Sequence, residues 1–293
     1  MTFQQKFDAI VAKNDSLLCV GLDSDINKVP RHVLKLEHPQ TTFNKAIIDA
    51  TADLVCSFKP NTAFYESRGK PGFEALKLTC DYIKEAYPEI PIILDAKRAD
   101  IGSTNEGYVK FAFDWLGADA ITLHPYLGKE ALKPFLDRKD KGCIILCRTS
   151  NPGAGELQDL LVGKSQSSDV SSGALAKEEA SAKEGRPLYQ VVAENIAKNW
   201  NDNGNCALVV GATYPTELEI VRRIVGDMPL LIPGIGTQGG DVEKTVKAGI
   251  DSAGKNAIIN ASRSIIFASA GADFAQKARE EAVTLKEEIN KFR

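Results

Sequence analysis

The chain has 293 residues, 43% of them apolar, which is enough for a large core. Length alone suggests about two domains, but a single α/β barrel reaches this size. With a formal net charge of -3, nothing argues for a general nucleic-acid surface, and an anionic ligand would have to be held by a few local cations.

The N-terminus, "MTFQQKFDAIVAKNDS", has no basic start followed by an apolar run and does not read as a signal peptide. No apolar segment approaches the length of a membrane span. The expectation is a soluble, cytoplasmic protein.

Short apolar runs then recur in order: "SLLCVGLD" (16–23), "LVCSFKP" (54–60), "PIILDAK" (91–97), "DAITLHP" (119–125), "GCIILCR" (142–148), "CALVVGAT" (206–213), "MPLLIPGIG" (228–236) and "NAIINASR" (256–263). Near-continuous apolar runs indicate parallel strands covered on both faces. Between them "TTFNKAIIDATADL", "GFEALKLTCDYIKEAY", "TELEIVRRIV" and "DVEKTVKAGI" carry amphipathic helical patterns. Eight alternating βα units predict one α/β domain over 1–293, a single (β/α)8 TIM barrel. An open doubly wound sheet is the alternative. Residues 163–185 break the rhythm: they are rich in Ser, Ala, Lys and Glu, with Leu175 their one large apolar residue. They read as a flexible or surface insertion after strand five.

Cys19, Cys56, Cys80, Cys143, Cys147 and Cys206 sit mostly inside apolar runs, as reduced core thiols do. There is no CxxC, and His32, His38 and His124 lie near no suitable partners, so a zinc site is not expected.

Strand three ends abruptly in charge, "PIILDAKRADIGST". Residues two apart on a strand share a face, so Asp95 and Lys97 project together, about 7 Å apart along the strand. The apolar run before them places the pair at the C-terminal end of the strand, where barrel active sites lie. A solvated surface cluster is the bland alternative, since exposed ion pairs are common and nearly neutral. Against it, charges in a barrel mouth are costly to desolvate unless paired. A second lysine, Lys59, also ends the neighbouring strand two in "LVCSFKPNTAFYE".

These residues resemble the orotidine 5'-phosphate decarboxylase family, in its longer subfamily. "LDAKRADIGST" with an upstream "FKPN" carries the likeness. "CVGLD", "RTSNPGA", "PGIGTQGGD" and "ASRSI" follow in the family's order, so it spans the chain except 163–185. The resemblance implies a cofactor-free, metal-free (β/α)8 homodimer that converts orotidine 5'-phosphate to UMP and CO2. It implies a catalytic array of Lys59, Asp95, Lys97 and Asp100, with Asp100 supplied across the dimer. It also assigns Gln238 to a bridge between phosphate and pyrimidine, Ser150 to the pyrimidine edge, and Asp23 and Thr104 to the ribose. Thr104, too, comes from the partner subunit.

The glycine loop also has a reading of its own. Gly234, Gly236 and Gly239 spell G-x-G-x-x-G, but after strand seven rather than after strand one, where a dinucleotide fold needs it. In a barrel, the loops after strands seven and eight bind phosphate, through backbone N–H groups that glycine leaves accessible. Gly236 and Gly239 are therefore phosphate-loop candidates, and Arg263, at the end of strand eight, is a candidate clamp.

Three other classes compete. A metal-dependent sugar-phosphate decarboxylase or aldolase shares the D-x-K-x-x-D strand end, but such relatives place an acid where this chain has Lys59. A nicotinamide oxidoreductase rests on "GIGTQG" alone. A non-catalytic binding barrel gains little from so costly a charge array.

Overall fold

The structure, a computed structural model, describes residues 1–163, 185–235 and 241–293. Its eight long-range parallel strands are β1 (Leu18–Gly21), β2 (Ser57–Lys59), β3 (Ile93–Arg98), β4 (Ala120–Leu123), β5 (Gly142–Arg148), β6 (Cys206–Val210), β7 (Leu230–Pro233) and β8 (Ala257–Ala261). Each falls inside one of the predicted apolar runs, except that β3 extends one residue past its run, to Arg98. They are almost wholly buried, as strands with a packed interior and a helical outer layer must be.

Each strand pairs with its neighbours in chain order, and β1 pairs with β8. The remaining join, β2 to β3, is made by bridges at Phe58–Ile92 and Asn61–Asp95. Across it the Phe58 N–H donates to Pro91 O at 3.0 Å and the Asp95 N–H to Pro60 O at 2.9 Å. The sheet therefore closes into a (β/α)8 barrel, and the open doubly wound alternative is set aside.

The four predicted helices are present as Pro39–Thr51, Lys70–Ala86, Pro215–Val225 and Val242–Gly249. A further helix, Phe3–Asn14, starts from a capping box between Thr2 and Gln5 and lies at the N-terminal end of the barrel. Phe3 packs so closely on the start of β5 that a Cβ on Gly142 would sit 2.6 Å from its ring. All six cysteines are free and buried.

One buried tyrosine ties the outer layer to the barrel mouth. Tyr65 donates its hydroxyl to Leu22 O at 2.9 Å and accepts from Asn44 Nδ2 at 2.9 Å. Asn44 also donates to Thr79 Oγ1 at 2.9 Å, so two helices grip the turn that carries Asp23.

The predicted insertion is bracketed by a two-residue antiparallel ribbon in which Val162 pairs with Arg186. Its residues 164–184 lie outside the described residues. Among the described residues, no helix is long and apolar enough to cross a membrane.

Candidate active site

The end of β3 is not a regular strand. Its pairing with β4 runs Ile93–Ala120, Leu94–Ile121, then jumps to Arg98–Leu123. Asp95, Ala96 and Lys97 thus bulge out of the ladder. Lys97 has φ of 47°, in the left-handed region, which costs a side-chain-bearing residue on the order of 1 kcal/mol. The even alternation expected from sequence is corrected here. Asp95 and Lys97 do meet, but across a bulge, which lets Asp95 stay buried while Lys97 is half exposed at the mouth.

The Asp95 carboxylate receives four donors. Lys97 Nζ lies 2.6 Å and Thr122 Oγ1 2.9 Å from Oδ1. Lys59 Nζ lies 2.8 Å and Asn61 Nδ2 3.4 Å from Oδ2. Burial pushes the Asp95 carboxyl up, but the two ammonium groups outweigh it and hold it well below the usual carboxylate range. Lys59 is fully enclosed. Burial pulls its pKa down, and the carboxylates of Asp95 and Asp23 outweigh that and hold it above the ordinary lysine value. Both groups are therefore charged at neutral pH.

Lys59 also reaches Asp23 Oδ1 at 3.8 Å. That oxygen is buried and has no hydrogen-bond partner among the described residues, so it faces Lys59 through charge alone. The chain of alternating charges is thus Asp23–Lys59–Asp95–Lys97, crossing the ends of β1, β2 and β3.

Asp100 is not in that chain within one subunit. Its Oδ1 accepts from the Ile101 N–H at 2.7 Å, and its own N–H donates to Asn105 Oδ1 at 2.8 Å, so it sits in a tight loop. No ion pair joins it to Lys97 among the described residues. Thr104 is exposed on the helix Gly102–Val109 and lines an open recess of about 410 Å³ with Glu66, Phe73 and Arg98. Arg98 pairs with Glu66 and donates to Ala96 O at 2.9 Å, which makes it a brace for the bulge.

On the far side of the mouth, Ser150 follows β5 in a loop folded over buried Arg148. The guanidinium stacks 4.0 Å from the Tyr214 ring centre and pairs with Asp159 at 3.1 Å. Gln158 Oε1 accepts from the Thr149 N–H at 2.9 Å, closing the loop on itself. Arg263 opens the short helix Arg263–Ile266, two residues beyond β8 rather than within it. Its guanidinium is exposed and makes no ion pair among the described residues. The turn before it presses on β1 so tightly that a Cβ on Gly21 would meet Ser262 Oγ at 2.0 Å. That contact holds the turn before Arg263 against the end of β1. Gly234 has φ of 110° and turns the chain out of β7. Gly236, Gln238 and Gly239 lie outside the described residues.

The mouth carries a lysine–aspartate–lysine array, with Lys59 and Asp95 buried and Lys97 half exposed. The model of the orotidine 5'-phosphate decarboxylase / HUMPS family matches residues 16–279. The chain belongs to this family. It is 47% identical over 293 residues to an orotidine 5'-phosphate decarboxylase of Janthinobacterium sp. (strain Marseille), covering 100% of this chain and 99% of that one. It is 49% identical over 280 residues to that of Herpetosiphon aurantiacus, covering 96% and 95%. The solved OMP decarboxylase of Leishmania donovani superposes with a TM-score of 0.81 at 35% identity, covering 100% of this chain and 98% of that one.

Two neighbours of Asp95 escaped the sequence reading of this decarboxylase-family chain. Asn61 stands in the quoted "FKPN", and its position two residues after Lys59 was an available signal. Thr122 stands in "DAITLHP", where a threonine looks like any strand residue.

Proposed function

We propose that Lys59, Asp95 and Lys97, completed by Asp100 of the partner subunit, are the apparatus with which this chain decarboxylates orotidine 5'-phosphate to UMP and CO2. This is the last step of de novo UMP synthesis. The observation that carries the reading is the Asp95 carboxylate, clamped between Lys59 at 2.8 Å and Lys97 at 2.6 Å.

When the C6–carboxylate bond breaks, its electron pair stays on C6, in the plane of the ring and out of reach of the π system. The enzyme must supply charge where that pair develops. Lys97 is an ammonium fixed in advance beside the developing carbanion, so no reorganisation is needed at the moment of reaction. It then gives its proton to C6 as general acid and recovers one from water. Asp95 cannot compete for the proton, because four donors keep it ionised. Lys59 holds Asp95 and faces Asp23, which would meet the ribose.

The phosphate falls to Arg263 with the backbone of Gly236 and Gly239, bridged to the pyrimidine by Gln238. Ser150 reads the pyrimidine edge, and Thr104 of the partner subunit touches the ribose. Binding energy from the phosphate can drive closure around the reacting ring. A cytoplasmic homodimer with shared sites fits the single-chain geometry. Asp100 does not reach Lys97 within its own subunit, and beside it Ile101 leaves 63% of its surface exposed, while Tyr126 after β4 leaves 79%. The reaction needs neither metal nor organic cofactor. For the sugar-phosphate alternative, a divalent cation at this strand end would have to displace the buried Lys59 ammonium from Asp95. Incubation with orotidine 5'-phosphate in EDTA, followed by ultraviolet absorbance, tests the reading. Turnover supports it, and turnover only on adding Mg²⁺ overturns it.

A further inference from the structure

Thr122 lies inside β4 with 1% of its surface exposed, and its hydroxyl makes three contacts. It accepts from the Ala96 N–H at 3.0 Å and from the Lys97 N–H at 2.9 Å, and it lies 2.9 Å from Asp95 Oδ1. A hydroxyl has one proton and two lone pairs. Both lone pairs are engaged by amides, so the proton has a single direction left, toward Asp95 Oδ1.

The reason a side chain does this lies in the bulge. The β3–β4 ladder skips from Leu94–Ile121 to Arg98–Leu123, so of the three residues between, Asp95 turns its N–H to Pro60 O while Ala96 and Lys97 have no ladder partner on β4. A buried N–H without a partner is strongly disfavoured. Thr122 supplies the missing acceptor and, with the same atom, restrains the carboxylate that grips Lys97.

We propose that Thr122 is a positioning residue for the decarboxylation. It locks the left-handed backbone of Lys97 and the orientation of Asp95 together, and so aims the Lys97 ammonium at C6. The inference rests on Lys97 being the proton donor. It adds that the aim of the donor is set from the neighbouring strand, through one hydroxyl, and not by the Lys–Asp contacts alone. Without the hydroxyl, the Lys97 N–H loses its acceptor, and the Arg98 brace and the Asp95 ion pair are left to hold a φ of 47° that relaxes toward ordinary backbone angles. Its Cβ then swings and the ammonium moves with it, while the phosphate-binding side of the mouth, beyond β7 and β8, stays as it was.

Thr122→Val keeps the shape and removes the hydroxyl. The expected result is a fall in kcat on the order of 100-fold, as for a misplacement of about 1 Å. UMP affinity should stay within about 3-fold, since the phosphate contacts are untouched. Exchange of the C6 hydrogen of UMP in D2O, which reads the proton transfer without the decarboxylation, should fall in parallel with kcat. Thr122→Ser, which restores the hydroxyl, should recover most of both rates. If Thr122→Val does not fold, Thr122→Ala against Thr122→Ser makes the same comparison, the two differing by the hydroxyl alone. Unchanged kcat and exchange in the valine variant, or equal rates for alanine and serine, would overturn the proposal. Lys97→Ala is run alongside. Retained activity there removes Lys97 as proton donor, whereas loss there with normal rates in Thr122→Val removes only the positioning role.

Discussion

Lys59 and Asp95 stand on adjacent strands, and the ammonium of one donates to Oδ2 of the other at 2.8 Å inside the barrel. Each holds the other in its charged form, and the pair sets the pH behaviour of the site. Asp95 is held below the ordinary carboxyl value. Its contribution to stability is thus present above its unfolded pKa of about 3.9 and is lost as pH falls through the lower folded value. Lys59 is held above its ordinary 10.5, so its contribution is present below that pH and lost only as pH rises through the higher folded value.

Between about pH 5 and 9, neither group should titrate in the native enzyme. In Lys59→Met the buried carboxylate keeps one of its two cations, and burial pushes its pKa up. The pH–rate profile should then show an acid limb moved upward, together with a lower kcat. An acid limb that stays where it was would uncouple Lys59 from the ionisation of Asp95.

Arg263 is exposed and packs against little, so Arg263→Ala should leave the melting temperature unchanged. Loss of a charge-assisted phosphate contact should lower kcat/KM on the order of 10- to 100-fold. If phosphate binding drives closure, kcat falls too, and added phosphite dianion partly rescues turnover of the phosphate-free nucleoside. Kinetics identical to those of the native enzyme would take Arg263 out of the site.

Lys97→Ala and Asp100→Ala homodimers should each be nearly inactive. When the two are unfolded, mixed and refolded, random pairing makes half the dimers hybrids. Each hybrid holds one site with native Lys97 facing native Asp100, so about a quarter of the native activity per site returns. No recovery, with hybrids confirmed by mass, would mean that Asp100 acts within its own chain.

The ribbon Leu161–Val162 and Arg186–Pro187 offers a clean excision. Removing 164–184 leaves Gly163 and Gly185 as a two-residue loop between the paired Val162 and Arg186, and Gly-Gly suits the tight turns such hairpins use. The shortened chain should keep its melting temperature and most of its kcat. A large drop in kcat at unchanged melting temperature would make the removed residues part of the catalytic cycle.

The barrel was legible because parallel strands packed on both faces read as unbroken apolar runs, and eight such runs recurred. Lys59, Asp95 and Lys97 were legible because charges at the end of a buried run are costly to desolvate unless they are paired. The bulge was not. Register is a property of two strands together, and Lys97 is not a glycine, so nothing in "LDAKR" announces a positive φ. Thr122 was hidden for a related reason: threonine favours strands whether or not its hydroxyl has a task. Asp100 could be named from the resemblance, but within one chain it makes no ion pair with Lys97 among the described residues.

The β2–β3 join has a bearing on how the protein comes into being. It is the barrel's sparsest seam, made by the bridges Phe58–Ile92 and Asn61–Asp95, and Lys59 and Asp95 flank it. Seven seams can form and still leave these two side chains apart, Asp95 with only the charge of Lys97 beside it and Lys59 with only that of Asp23. Closing this seam brings the two charges together, so a barrel with the seam open lacks the Lys59–Asp95 contact. During refolding, turnover should not precede protection of the Phe58 and Asp95 amides from solvent exchange.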